Sequence, residues 1–181
     1  MGATISQFGS QKSSRPLVSA ETVPLSELQK VASRRQLYAI LDACDSPTIP
    51  PKVKELGEEN AISLYRGEAE EDYWAIAPYL VRVDAATLEW IMAALWKEPW
   101  GVFAVADSTL ELLRTHFRKM LIAELPDSKK VYFRFYDPRV LRLFLPTCTD
   151  EQVKEFFGPV RSYLVNGKRS DSLEQFLGPQ R

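Results

Sequence analysis

The amino-acid sequence predicts an α/β fold: one domain with a mixed β-sheet flanked by α-helices, preceded by a flexible N-terminal arm. Three observations point there. Short apolar runs of strand length alternate with stretches whose apolar residues recur every three or four positions. Ser/Thr-x-x-Glu/Gln boxes and an Asp-Pro pair mark helix starts between those runs. The chain has 181 residues, 45% of them hydrophobic, with four Trp, seven Tyr and nine Phe, which is enough for one core.

Residues 1–24 are rich in Ser, Thr, Gln and Gly and show little periodic hydrophobicity, so they read as an arm. A short lead-in helix over 25–33 completes the segment 1–35. Residues 36–41 (QLYAIL) are a mixed apolar run suited to a strand covered on both faces. Pro47, Pro50 and Pro51 make the next stretch a loop, with Pro50 or Pro51 opening a helix that Gly57 stops. Residues 61–65 are a second strand. The acidic run Glu68, Glu70, Glu71 and Asp72 then suits the first turn of a helix reaching about residue 77, because carboxylates face the positive end of the helix dipole.

Residues 78–83 are a third strand. Leu88, Ile91, Met92, Leu95 and Trp96 form one face of a helix over 85–96. Residues 101–106 (GVFAVA) are an interior strand, and the box Ser108-x-x-Glu111 opens a helix with Leu110, Leu113, Phe117 and Met120 inward. Residues 121–125 and 130–136 flank a turn and form a hairpin. Asp137 and Pro138 start a helix that Pro146 ends, and the box Thr149-x-x-Gln152 starts another that stops at Gly158. Residues 160–165 are the last strand. The domain thus spans 36–165, and 166–181 is a polar C-terminal tail in which Leu173, Phe176 and Leu177 suit a short docking helix.

Lys and Arg total 23 against 24 Asp and Glu, a net charge of −1, so no global field favours nucleic acid or an anionic membrane. No run approaches the roughly 18 apolar residues of a membrane span, and the N-terminal residues are polar, without the basic stretch and apolar run expected of a secretory leader. The two cysteines, Cys44 and Cys148, are distant and form no CxxC pair. The expectation is a cytoplasmic protein with no metal, no cofactor, no nucleic-acid partner and no membrane insertion. His116, the one histidine, flanks an apolar helix stripe, and no motif supplies the nucleophile and orienting partner that a general base needs. Glycine-rich nucleotide loops and the serine-hydrolase elbow are absent. Asp42, Asp45, Asp84 and Asp107 fall at strand ends or turns, where Asp is ordinarily structural. No catalytic residue is assigned.

The most distinctive segment is residues 131–142 (VYFRFYDPRVLR). Arg134 sits on an aromatic strand face, and Arg139 and Arg142 lie one turn apart on the following helix. Arginine stacks on aromatics and forms bidentate bonds, so the cluster suits recognition of a partner. It equally suits internal ion pairs that fix the strand–helix corner, and spacing alone leaves both readings open.

Seven blocks in order give the sequence a resemblance. These are 37–42 (LYAILD), 63–67 (SLYRG), 77–81 (APYLV), 100–103 (WGVF) with the 112–121 helix, 133–141 (FRFYDPRVL), 144–148 (FLPTC) and 156–158 (FFG). Together, over about residues 36–165, they resemble the bacterial type VI secretion adaptors first catalogued as domain of unknown function 4123. The resemblance implies a cytoplasmic chaperone that binds a cognate effector and promotes its loading onto the spike protein VgrG, without catalysis or cofactor. Candidate partner contacts are Tyr65, Arg66, Trp96, Trp100, Arg134, Tyr136, Arg139 and Arg142, of the residue types that dominate interface energetics. Two other readings stand beside it: an immunity-type toxin-binding protein, and a small hydrolase using a carboxylate with an arginine clamp.

Overall fold

All six residues of strand β2 (Leu37–Asp42) and of β5 (Gly101–Ala106) are buried, as strands covered on both faces require. These two pair at the centre of a seven-stranded sheet in a computed structural model that describes residues 18–44, 46–125, 127–167 and 171–179. Residues 1–17, most of the expected arm, lie outside the described residues. The remaining strands are β1 (Ala20–Pro24), β3 (Ala61–Ser63), β4 (Pro78–Arg82), β8 (Val160–Asn166) and β9 (Ser172–Leu177), in the order β1-β9-β8-β5-β2-β4-β3. Strands β6 (Ile122–Glu124) and β7 (Lys130–Tyr132) form the expected hairpin as a separate ribbon.

Helices cover both faces, giving the predicted α/β fold. On one side α1 (Ser26–Ser33), α2 (Ile49–Leu56) and α4 (Ala85–Ala94) pack with Ala39, Val81 and Phe103. On the other side lie α5 (Leu110–Met120), α6 (Pro138–Phe144) and α7 (Asp150–Phe157), whose Phe117, Phe144 and Phe156 gather with Tyr38, Phe135 and Tyr163. Helix α3 (Glu68–Asp72) and a single 3₁₀ turn, Trp74–Ile76, bridge β3 to β4 and bury none of their side chains.

The local signals hold at most helix starts. Asp137 accepts the Arg139 N–H at 2.9 Å, and Thr149 with Gln152 completes a capping box. At α5 the cap is Thr109 rather than Ser108, its hydroxyl accepting from Leu112. Gly101 is irreplaceable for a geometric reason: its φ is +147°, and a Cβ there would stand 1.9 Å from the Ile40 carbonyl oxygen.

Three expectations change. Each pairing in the large sheet is antiparallel, because β4 inserts between the parallel strands β2 and β3, and β2 between β4 and β5. Helical crossovers therefore do join parallel strands, but never neighbouring ones. Residues 173–177 form strand β9 rather than a helix, since Leu173 and Phe176, at odd spacing, fill opposite cores. The polar segment 20–24, expected in the arm, pairs with β9 as an edge strand. Among the described residues no helix is long and apolar enough to cross a membrane.

Candidate functional site

The arginine-rich corner resolves into internal ties. The Arg134 guanidinium pairs with the buried carboxylate of Asp42, which also accepts the Cys44 N–H at 3.1 Å. Burial raises the Asp42 carboxyl above its ordinary value, with the Arg134 bond pulling the other way. Arg139 folds back on Asp137 at 2.7 Å and remains exposed. Arg142 holds Glu174 of β9 at 2.6 Å and donates to the Asn166 carbonyl of β8. Of the two readings left open by spacing, internal pairing describes all three arginines.

A chain of hydroxyls runs beside them. Tyr65 donates to Tyr132 at 3.1 Å, and the Tyr132 and Tyr136 oxygens are also 3.1 Å apart. Burial, followed by these bonds, pushes the Tyr132 phenol far above its ordinary value, and burial does the same to Tyr136. Such phenols stay protonated at neutral pH. His116 has its Nε2 3.0 Å from the Phe156 carbonyl oxygen, and burial lowers its pKa to about 4, so the imidazole is neutral.

The eight candidate contacts therefore do not form one surface. Tyr65 and Tyr136 are linked through Tyr132, Arg134 is bonded to Asp42 instead, and Arg139 and Arg142 sit along α6. Trp100 is only 4% exposed, edge-on to Phe103 at 4.9 Å, and Trp96 packs half-buried against the core on the opposite face of the sheet. Trp100 and Tyr136 are core residues. Arg66 is exposed next to α3.

A second feature lies at the β3 edge of the sheet. The Asn60 carbonyl accepts from Arg82 at 2.7 Å, and the Leu64 N–H donates to the Pro78 carbonyl at 2.9 Å. Residues 60, 62 and 64 thus bond towards β4, and the alternation of an antiparallel ladder turns the main chain of Ala61 and Ser63 outwards. The Ala61 N–H is taken by the Gly57 carbonyl at 2.9 Å, and Ala61 and Ser63 are both buried, so little of this outer main chain reaches solvent. Beside them runs a groove of about 680 Å³, flanked by Val53 and Lys54 of α2 and by Glu111 and Arg114 of α5.

Glu70 and Trp74 also line the groove. Arg114 donates to the Tyr65 carbonyl at 2.9 Å and to Glu70 at 3.1 Å, while its Nε has no partner among the described residues. The Lys54 ammonium sits 3.7 Å from the centroid of the Trp74 ring. Tyr73, Trp74 and Ile76 form an apolar lip, with Tyr73 53% exposed. Three large apolar residues within the four positions after an acidic run were the available sequence signal for this lip. The strand's edge position had no local signal.

Among the described residues no group of three or more His, Cys, Asp or Glu is placed to hold a metal ion. In comparisons with known proteins, residues 37–155 match the model of a family described as a domain of unknown function, DUF4123. No curated protein and no solved structure matches the chain.

Proposed function

Because the chain belongs to the DUF4123 family, we propose that it is a cytoplasmic type VI secretion adaptor that binds a cognate effector and promotes its loading onto the VgrG spike. The observation that supports an adaptor best is the groove of about 680 Å³ at the β3 end of the sheet, with the exposed Tyr73, Trp74 and Ile76 beside it. Exposed Tyr, Trp and Ile beside such a groove suit a surface that covers apolar parts of a client before firing. The seven sequence blocks ending in FFG at 156–158 support the type VI assignment. The role requires no turnover. The protonated tyrosines, the neutral His116 and the internally paired arginines agree with binding rather than acid–base chemistry.

The test is affinity purification of the tagged full-length chain from its native bacterium, with identification of co-eluting proteins. An effector and VgrG should co-elute. Recovery of neither would refute the proposal. Binding confined to an effector's toxic domain, with loss of toxicity, would make the protein an immunity factor instead.

A further inference from the structure

We propose that strand β7 of the separate ribbon takes an extended, uncharged client segment, which pairs with it and makes the ribbon three-stranded. This rests on the adaptor reading and names where the client binds and by what chemistry. The Leu125 N–H donates to the Lys129 carbonyl and the Phe133 N–H to the Leu121 carbonyl, each at 2.8 Å. Residues 129, 131 and 133 therefore bond inward to β6 and its ends. The alternation of the ladder then turns the N–H and C=O of Lys130 and Tyr132 outward. All three residues of β7 are exposed, unlike β6, where Ala123 is 1% exposed. The outward groups of β7 are those a client's main chain complements.

The side chains beside that edge are apolar. Ile122 and Tyr132 lie directly opposite each other on one face, 45% and 43% exposed, and Val131 is 36% exposed on the other. Successive residues of an added strand meet Tyr132 and then Val131, an alternation that β-branched side chains fill. The Tyr132 ring is already fixed, since its hydroxyl bonds both Tyr65 and Tyr136, so docking costs it little freedom.

The charges around the ribbon are met within the chain. Lys129 pairs with Asp127 at 2.9 Å, and Glu124 stands opposite Lys130. Arg134, just beyond β7, pairs with Asp42. In the last turn of α5, Lys119 lies beside His116, while Arg118 donates to the Leu64 carbonyl at 2.7 Å among Arg66, Arg114 and Glu70. A neutral edge with apolar flanks favours a neutral segment, because a charge brought there loses water without gaining a partner. A second copy is a poorer occupant. Three exposed residues bury far less than the roughly 1,200 Å² of a stable protein interface, whereas a flexible segment docks by main-chain bonds.

The test uses the full-length chain and a short synthetic peptide alternating valine with threonine. In the free chain the Lys130 and Tyr132 amides should exchange faster than that of Val131, which bonds within the ribbon. With the peptide bound, both should slow by about ten-fold or more. Fluorescence anisotropy should show saturable binding that changes by less than about two-fold between low and high salt. The same peptide methylated on each backbone nitrogen, or with glutamate or lysine in place of threonine, should bind at least about ten-fold more weakly. Lys130→Pro removes one outward N–H and no ladder bond, so it should weaken the peptide by about five-fold or more with melting unchanged. Should that variant melt early, the methylated peptide decides.

Failure of the valine–threonine peptide to bind would overturn the inference. So would indifference to methylation, unaltered exchange at Lys130 and Tyr132, or equal binding of the charged peptides. Self-association of the free chain with protection of Lys130 and Tyr132 would substitute a second copy. If effector and VgrG co-elute while the peptide fails, the adaptor reading stands and this inference falls. Peptide binding with no co-eluting partner gives the reverse.

Discussion

Arg142→Ala should loosen the join between α6 and the β8–β9 pair. The side chain bridges the Glu174 carboxylate at 2.6 Å and the Asn166 carbonyl, with about a third of the arginine and 16% of the glutamate side chain exposed. A hydrogen bond to a charged group contributes about 1.5–3 kcal/mol net, and solvent screening at this partly exposed pair favours the lower end. The orphaned, mostly buried Glu174 carboxylate adds a desolvation cost. A loss of about 2 kcal/mol follows, or about 4–8 °C in Tm for a chain of this size. The assay is thermal and denaturant unfolding of Arg142→Ala, Glu174→Ala and the double variant, with coupling of about 1 kcal/mol between the sites. The exposed Arg139, paired two residues back to Asp137, is the internal control, and Arg139→Ala should leave the midpoint nearly unchanged. A loss below about 0.5 kcal/mol, or perfect additivity with Glu174→Ala, would refute the bridging argument.

Other consequences are as direct. The folded chain holds His116 at a pKa of about 4 against about 6.5 unfolded, so the unfolded state takes the proton first. Stability should therefore be full above about pH 6.5 and fall by up to about 3 kcal/mol towards pH 4. His116→Gln should flatten that slope in urea midpoints and leave client binding intact. An equal slope in the variant would assign the effect elsewhere. Gly101→Ala should cost more than about 2 kcal/mol, because its Cβ would meet the Ile40 carbonyl at 1.9 Å with φ at +147°. A loss under about 1 kcal/mol in denaturant unfolding would contradict that. Asp137→Ala should cost about 0.5–2 kcal/mol as a lost helix cap, whatever partner is present, and an unchanged unfolding midpoint would show the cap to be inert.

Elements whose signals are local were legible in the sequence. Residues 36–41 and 101–106 are continuous apolar runs because each strand is covered on both faces, and the Asp137 and Thr149 caps lie within three residues of the groups they satisfy. Strand β1 was not legible, since its edge position leaves its side chains largely exposed, and it is held by main-chain bonds to β9. The same logic hid the groove. The sequence of Ala61–Ser63 reads as an ordinary strand, and only the topology makes β3 terminal. At the corner, the aromatic-flanked Arg134 was conspicuous, but its partner Asp42 is 92 positions away, beyond any spacing rule. Trp100 looked like a contact by residue type, and burial against Phe103 made it core.

We propose that this chain delivers an effector by binding it. The most direct measurement is the amount of one effector, encoded beside a VgrG gene, that reaches the culture medium from cells lacking the chain. VgrG export should persist, secretion of that effector should be lost, and the wild-type chain should restore it. Undiminished secretion of the effector in the absence of the chain would rule out delivery by it.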